Sequence, residues 1–264
     1  MLRPRITPCL LVHKGGLVKT VGFKAPKYVG DPLNAVKIFN EKEADEIIVL
    51  DIDATVNNTE PDYRLLSNLA AECRMPLCYG GGIKTPEQAK QIISLGVEKI
   101  AISSAAVENP ELISRIAEEI GRQSVAIVLD VKKRMFGHEY DVFTKNARDN
   151  TKRSVFNLAA EIEKLGAGEL IINSIDLDGS MTGYDLYLAQ RIRQAVKIPI
   201  TILGGAGGLS DIEALIRACG VVGASAGSLF VFKGIYKAVL ISYPTMAQRD
   251  ELIREVLGRK PGLT

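Results

Sequence analysis

Short apolar runs rich in β-branched residues alternate along the chain with amphipathic stretches of helical period. Such runs predict strands buried on both faces, and the stretches between them predict helices, so the chain reads as parallel βα units. The predicted strands are Ile6–Val12, Glu46–Leu50, Pro76–Tyr79, Lys99–Ile102, Val125–Leu129, Glu169–Ile172, Pro199–Leu203 and Val221–Ala224. The predicted helices are Asp31–Lys42, Tyr63–Cys73, Pro86–Leu95, Pro110–Ile120, Val155–Leu165, Leu186–Ala195 and Leu209–Arg217.

Each half of the chain contains an aspartate after a strand, then a glycine cluster, then a serine motif. The intervals from aspartate to glycine cluster are 29 and 28 positions, and those from cluster to serine are 23 and 24. Nearly equal spacing of this kind indicates an internal repeat. The motifs begin at Asp51, Gly80 and Ser103 in the first half and at Asp176, Gly204 and Ser228 in the second.

This repeat distinguishes a closed barrel from an open doubly wound sheet. Two homologous half-barrels, about 1–124 and 125–243, predict an α/β protein with one (β/α)8 TIM barrel as a single domain over 1–264. A dinucleotide-binding sheet fits poorly, because no GxGxxG motif follows the first strand. Residues 244–264 are expected to form a helical extension, with an amphipathic stretch before Gly258.

Composition excludes several classes of protein. The hydrophobic and charged fractions, 47% and 24%, are those of a globular protein, and a net charge of +2 argues against a nucleic-acid binder. No segment resembles a signal peptide or a membrane span, which predicts a cytoplasmic protein. The cysteines lack CxxC spacing, which favours reduced thiols over a metal site, and no cofactor is expected. They are Cys9, Cys73, Cys78 and Cys219.

The glycine and serine motifs after the strands predict two phosphate sites at the barrel mouth. Glycine lets backbone N–H groups approach an anion closely, and the following helix N-termini favour negative charge. Tight βα turns without a ligand are the alternative interpretation. The residues concerned are Gly81, Gly82, Ser103 and Ser104 in the first half and Gly204, Gly205, Gly227 and Ser228 in the second.

Three aspartates, Asp51, Asp130 and Asp176, follow apolar strands. Carboxylates at the carboxyl ends of barrel strands point into the mouth, where general acids and bases lie. We therefore expect Asp130 and Asp176 to be catalytic and Asp51 to bind ligand, although capping of the next helix is an alternative. Lys19, in the first βα loop, could bind phosphate or act as a lid charge; a solvated lysine is the alternative.

Four charged residues stand at or just before strand starts, at the opposite end of the barrel. Arg5, Glu46, Lys99 and Glu169 alternate in sign and could form a ring of ion pairs. Charges at such positions are usually solvated, so the pattern by itself leaves both interpretations open.

Over about residues 3–243 the chain resembles the cyclase subunit of imidazole glycerol phosphate synthase, the HisF family of histidine biosynthesis. The resemblance implies a ribulose-type phosphosugar with two phosphate ends, a HisH-like class I glutaminase as partner in a heterodimer, and an ammonia gate at Arg5, Glu46, Lys99 and Glu169. It places one phosphate at Gly82 and Ser104, and the other beside Asp178 at Gly179, Gly205 and Ser228. The motifs that carry it are Arg5–Leu10, Leu50–Ala54, Gly80–Ile83, Ala105–Pro110, Ser174–Gly179 and Gly204–Gly207.

One departure from the family bears on the chemistry. The resemblance implies an acid–base pair of strand-end aspartates; Asp130 matches the second, but Leu11 stands where the first is expected. Leucine cannot transfer a proton, and loss of one such group removes about 10²–10⁴-fold of rate. Asn173 also stands where the family has a threonine, and Ser103 and Ser104 stand for its usual Asn-Thr.

The departures are similar to those of a divergent group of paralogues linked to bacterial surface-polysaccharide genes. There a glutaminase and barrel pair is thought to feed ammonia to a third protein, which converts an acetamido group of a nucleotide-linked sugar into an acetamidino group. The sequence therefore leaves three functions open: a lyase and cyclase, an ammonia-delivering subunit, and a glutaminase activator without chemistry of its own. A sugar-phosphate isomerase is a weaker fourth.

Overall fold

The computed structural model describes residues 3–258 and contains a closed barrel of parallel strands surrounded by helices. The strands are β1 (Arg5–His13), β2 (Gly16–Val21), β3 (Lys24–Gly30), β4 (Ile47–Asp51), β5 (Leu77–Gly80), β6 (Lys99–Ile102), β7 (Val125–Lys133), β8 (Tyr140–Thr144), β9 (Asp149–Ser154), β10 (Glu169–Ser174), β11 (Ile200–Leu203), β12 (Gly223–Ala226), β13 (Phe232–Lys233) and β14 (Ala238–Val239). The helices are α1 (Pro32–Glu41), α2 (Tyr63–Glu72), α3 (Pro86–Ser94), α4 (Ser104–Glu108), α5 (Glu111–Ile120), α6 (Val155–Lys164), α7 (Leu186–Ala195), α8 (Leu209–Cys219), α9 (Ser228–Val231) and α10 (Met246–Leu257).

Eight of the strands form the barrel wall. In order around the barrel these are β1, β4, β5, β6, β7, β10, β11 and β12, all parallel, and the pairing of β12 with β1 closes the ring. The predicted (β/α)8 fold is confirmed. Each predicted strand overlaps one of these, although the last, predicted at Val221–Ala224, begins two residues later, at Gly223.

The apolar residues form two layers of core. The larger lies between the outer helices and the barrel wall, and each helix buries one apolar face there, as α5 does with Leu112, Ile113 and Ile116. The smaller fills the inside of the barrel. Its members are Cys9, Ile48, Cys78, Ala101, Ala126, Val128, Ile171 and Leu203.

The structure also contains three antiparallel hairpins that were not predicted from the sequence; two of them extend the barrel wall, and the third is a separate two-stranded sheet. They are formed by β2 with β3, β8 with β9, and β13 with β14. The first two continue the first and fifth barrel strands, β1 and β7, so the same insertion occurs at the same place in both proposed half-barrels. This repetition supports the half-barrel proposal. Lys19 lies in strand β2, within the connection between the first barrel strand and helix α1, where the sequence places it.

The carboxyl-terminal helix α10 is fixed to the barrel through buried contacts. Arg249 is 2% exposed, stacks 5.0 Å from the ring of Tyr243, and donates to the carbonyl of Pro244. The hydroxyl of Tyr243 donates to the carbonyl of Ile6 in β1 at 2.7 Å. The expected helix is therefore present up to Gly258, while residues 259–264 of the predicted extension lie outside the described residues.

Candidate functional site

A cleft of about 1190 Å³, including its open mouth, lies at the carboxyl ends of the barrel strands. The β2–β3 hairpin and the segments that follow six of the barrel strands, β4, β5, β6, β10, β11 and β12, form much of its wall. The structure thus brings together nearly all the residues that the sequence assigns to ligand binding. Those that line the cleft are Lys19, Asp51, Gly81, Gly82, Ser103, Ser104, Asp130, Asp178, Gly179, Gly204, Gly205, Gly227 and Ser228.

Asp176 is the exception, and the expectation that it faces the mouth is wrong. Strand β10 ends at Ser174, so the strand geometry that points side chains inward has already ended at Asp176. Its carboxylate accepts the backbone N–H of Lys133 at 3.1 Å, and it does not line the cleft. The aspartate of this loop that does line it is Asp178.

Asp130 is the buried carboxyl group of the cleft. Burial raises its pKa to about 7, although the hydrogen bond from Asn173 acts in the opposite direction. Asn173 donates through Nδ2 to the Asp130 carboxylate at 2.9 Å, and both side chains are at most 9% exposed. An aspartate with this pKa can both give and accept a proton near neutral pH.

Asn173 was noted in the sequence only as a departure from the family and was not assigned to the site. The parallel register that sets Asn173 of β10 directly opposite Asp130 of β7 accounts for their contact. This register could have been inferred from the predicted barrel, since both residues lie at the carboxyl ends of strands.

The floor of the cleft is apolar. Leu11 lines the cleft and stands opposite Leu50 in the register of β1 and β4, and Val128 and Leu203 complete this surface. Leu11 thus offers no proton-transfer group, and Asp130 is the buried carboxyl group that remains for that task.

Lys19 reaches into the cleft from the β2–β3 hairpin. Its ammonium group donates to the backbone carbonyl of Cys9 at 2.8 Å and lies against Gly227, where any side chain would collide with it. Burial lowers the pKa of Lys19, although attraction to Cys9 and Asp178 opposes this. The amine thus lies beside the Gly227–Ser228 turn. The alternative interpretation, a lysine in solvent, does not apply.

Two glycines of the cleft cannot be replaced without strain. Gly82 has φ +73, and a Cβ there would lie 2.8 Å from the carbonyl oxygen of Thr59. Gly205 has φ +108 and lies against the carbonyl group of Gly183. Both conformations are disfavoured for other residues, and a side chain at either position would collide with a neighbouring carbonyl group, so both turns require glycine.

Asp51 and Asp178 also have structural tasks. Asp51 accepts the N–H groups of Asp53 and Ala54 at 2.9 and 3.2 Å, so it closes its own turn. Asp178 accepts the Thr20 hydroxyl at 2.6 Å and the N–H of Phe23 at 3.0 Å. This second carboxylate ties the β2–β3 hairpin to the loop after β10.

The charged residues at the other end of the barrel form a closed ring of ion pairs. Arg5 contacts Glu46 and Glu169, each at 2.6 Å, and Lys99 contacts the same two carboxylates at 2.7 and 2.9 Å. The two glutamates are buried, and Thr201 donates to Glu169 at 2.6 Å. The ring interpretation therefore holds over the solvated one.

The ring stabilises its own charges. Burial acts against the charged forms of Arg5 and Lys99, but attraction to both glutamates outweighs it and raises both pKa values. Burial likewise acts to raise the pKa of Glu169, yet Arg5 and Lys99 hold it below its usual value. The ring therefore stays ionised, a closed layer of charge beneath the apolar barrel interior.

Comparison with known proteins shows to which family the chain belongs. The family model described as histidine biosynthesis protein matches residues 5–237. A Vibrio vulnificus protein, provisionally named as imidazole glycerol phosphate synthase subunit hisF3, is 55% identical over 253 residues, 96% of this chain and 97% of its own. The chain belongs to the HisF family. A relative provisionally named HisF from Leptospira interrogans is 55% identical over 96% of this chain and 99% of its own.

A Lactococcus lactis subunit HisF of imidazole glycerol phosphate synthase is 42% identical over 212 residues, 80% of this chain and 82% of its own. Membership in the HisF family identifies the chain as a subunit of the imidazole glycerol phosphate synthase type. Leu11 therefore occupies, in a HisF barrel, the position where the resemblance implies one of two acidic groups.

Three further observations concern disulfides, metal sites and membrane-spanning helices. The four cysteines are unpaired. Within residues 3–258 the structure has no cluster of three or more histidine, cysteine or acidic side chains arranged to hold a metal ion. No helix in the same part of the chain is long and apolar enough to cross a membrane.

Proposed function

We propose that the chain is the barrel subunit of a complex of the imidazole glycerol phosphate synthase type. A HisH-like class I glutaminase docks beneath the ion-pair ring and forms a heterodimer with the barrel. Ammonia then passes the ring and the apolar interior to a phosphosugar held at the mouth. The observation that carries this proposal is the closed ring at one end of a barrel whose other end is a glycine-lined cleft. The unpaired thiols fit a cytoplasmic complex.

The proposed ligand is a bisphosphate of ribulosyl type, with one phosphate per half of the barrel. The first phosphate would contact Gly82 and Ser104, and the second would contact Gly179, Gly205 and Ser228. Backbone N–H groups at such turns bind phosphate oxygens well, and a glycine has no side chain to hinder the approach of the anion. Lys19 would add a positive charge beside the second phosphate.

Not every N–H group of the second cluster is available for phosphate. Gly207 and Gly208 both donate to the carboxylate of Asp211, at 2.8 and 3.0 Å. These two N–H groups therefore cap helix α8, and the proposed phosphate contacts are limited to the earlier part of the loop.

The reaction of this type of synthase joins ammonia to the ribulosyl ligand and gives imidazole glycerol phosphate and aminoimidazole carboxamide ribotide. In this chain Asp130 would act as the acid–base group. Because Leu11 cannot share that task, we propose a cyclase and lyase step much slower than in a barrel with both acids.

The apolar floor favours a second candidate from another pathway. A barrel that retains the ring but has Leu11 in its cleft could deliver ammonia without closing a ring itself. The recipient would be a third protein that amidinates a nucleotide-linked sugar of a surface polysaccharide. Asp130 and the glycine turns would then bind a ligand that activates the glutaminase.

Reconstitution with the glutaminase distinguishes these functions. The complex is supplied with glutamine and the ribulosyl bisphosphate, and glutamate, free ammonia and imidazole product are measured. Imidazole product dependent on Asp130 supports the cyclase. Glutamate formed in response to the ligand without imidazole product supports ammonia delivery.

Ammonia delivery differs from simple activation of the glutaminase in one further measurement. Adding the sugar-amidating protein and its substrate should transfer glutamine-derived nitrogen into the sugar if the barrel delivers ammonia. Ligand-independent glutamine hydrolysis, with no binding of the chain to the glutaminase, would contradict the proposal as a whole. The matched control is Asp176→Asn, which removes a carboxylate outside the cleft.

A further inference from the structure

The β13–β14 hairpin exposes an unusually large apolar tip. Ile235 and Tyr236 are 87% and 89% exposed, and Val239 and Leu240 on the returning strand are also exposed. Single exposed apolar residues are common on protein surfaces, but four within one short hairpin form a contiguous patch. Such patches mark interaction sites.

The charge of this hairpin is of one sign. Lys233 and Lys237 flank the tip and are exposed, and the segment 233–242 contains no acidic residue. Lys27 of the neighbouring hairpin adds a third exposed lysine, with its ammonium group 5.2 Å from the centre of the Phe232 ring. The surface therefore has an apolar centre with a cationic edge, and its complement is an apolar pocket edged by carboxylates.

The hairpin is directly connected to the ligand cleft. Helix α9 begins at Ser228, which lines the cleft, and it leads straight into β13. The N–H groups of Leu240 and Ser242 donate to the carbonyls of Val231 and Phe230, each at 2.9 Å, so the base of the hairpin is fixed to this helix. A protein bound to the hairpin would therefore lie beside the mouth and touch the segment that carries Ser228.

The hairpin lies at the end of the region that the family model matches, and the alignment with one relative continues beyond it. The family model ends at residue 237, within the hairpin. The alignment with the Vibrio vulnificus protein covers 96% of the chain and therefore includes the hairpin. A relative of 55% identity therefore aligns with this chain across the whole hairpin.

We propose that the hairpin Phe232–Leu240 is the docking element for a second protein, distinct from the glutaminase, whose surface presents an apolar pocket edged by aspartate and glutamate. If the proposed function is right, this protein takes up what leaves the barrel mouth. The ring and the hairpin lie at opposite ends of the barrel, so a glutaminase at the ring does not cover the hairpin. A bilayer binds a broad apolar face, whereas one turn of four residues has the shape of an anchor that fills a pocket.

The first step of the test is photo-crosslinking in the native host. The full chain carries a benzophenone amino acid at Tyr236, and a matched chain carries it at Phe136, which is 85% exposed at the tip of the β7–β8 hairpin. Proteins captured from Tyr236 but not from Phe136 are identified, purified and titrated against the wild-type chain. The proposal expects one saturable protein partner whose crosslinked residues lie among carboxylates.

The second step measures affinity with variants. Ile235→Ser with Tyr236→Ser should weaken binding by at least about tenfold, since exposed aromatic and aliphatic anchors dominate such contacts. Lys233→Glu with Lys237→Glu should weaken it as well and reduce its dependence on salt. The control Phe136→Ser should bind like the wild type.

The outcomes that overturn the proposal are distinct from failure of the proposed function. Two of them identify another occupant: capture of a second copy of the chain together with a concentration-dependent dimer, or tip-dependent binding to phosphatidylglycerol vesicles. The other two show no docking at the tip: no capture above the Phe136 control, or unchanged affinity of the tip variant. Ligand-stimulated glutamine hydrolysis by the complex with the glutaminase is measured separately on the same variants. The tip variants should retain it, so a loss of docking with intact hydrolysis tests the hairpin alone.

Discussion

Replacing Asp130 by asparagine should stabilise the fold, and by an amount that grows with pH. Asp130 ionises near pH 3.8 in an unfolded chain, but burial raises its pKa in the folded protein to about 7. Between these values the folded state holds a proton that the unfolded state has released. Raising the pH through this window therefore favours unfolding of the wild type, and asparagine removes this contribution.

The size of the stabilisation by Asp130→Asn follows from the shift in the pKa of Asp130. One pKa unit corresponds to about 1.4 kcal/mol, so the full shift corresponds to roughly 4 kcal/mol once the pH exceeds both values. Between about pH 5 and about pH 8 the difference in unfolding free energy between Asp130→Asn and the wild type should grow by about 2–3 kcal/mol. The group is enclosed by protein, so little of this is lost to solvent screening.

Urea unfolding followed by circular dichroism at several pH values measures this difference. Asp176→Asn, which removes the same charge from a partly exposed position, controls for net charge. If the difference in unfolding free energy between Asp130→Asn and the wild type does not change with pH, this prediction is wrong. The pKa of Asp130 would then be the same in the folded and unfolded states.

Three further variants test the site. Leu11→Asp should raise any cyclase rate, by up to about 10²-fold as the acid–base pair is restored; an unchanged product rate would show that Leu11 is not the defect. Lys99→Ala opens the ion-pair ring and should release glutamine-derived nitrogen as free ammonia, whereas equal coupling in variant and parent would count against the gate. Asn173→Leu removes the hydrogen bond that lowers the pKa of Asp130, so carboxyl ¹³C titration should find that pKa above its wild-type value; no change would contradict the contact.

The barrel could be predicted because its strands are buried on both faces and its halves repeat. Continuous apolar runs leave few alternatives for a strand, and the spacing of motifs indicates where each strand ends. The hairpins were missed for a related reason. Strand β9 is largely exposed and strand β3 mostly so, which leaves little apolar pattern to read.

Of the three strand-end aspartates expected at the mouth, Asp51 and Asp130 line the cleft and Asp176 does not. Asp130 lies within β7 and faces the cleft, whereas Asp176 lies two residues beyond the end of β10 and faces Lys133 instead. The orientation of a side chain past the last ladder residue depends on the turn, which alternation of polar and apolar residues does not specify. The charged ring needed the family resemblance, because isolated charges at strand starts give no sign of which neighbours they meet.

The contact between Lys19 and the Cys9 carbonyl has a consequence for how ligand enters. The ammonium group has three N–H bonds, so it can donate to an anion at the Gly227–Ser228 turn while it keeps its hydrogen bond to the carbonyl of Cys9. Lys19 belongs to the β2–β3 hairpin, and Asp178 holds that hairpin through Thr20 and Phe23, so the amine is fixed beside this turn before any ligand arrives. A phosphate would therefore meet a preorganised positive charge and would pay little for ordering the rim of the barrel.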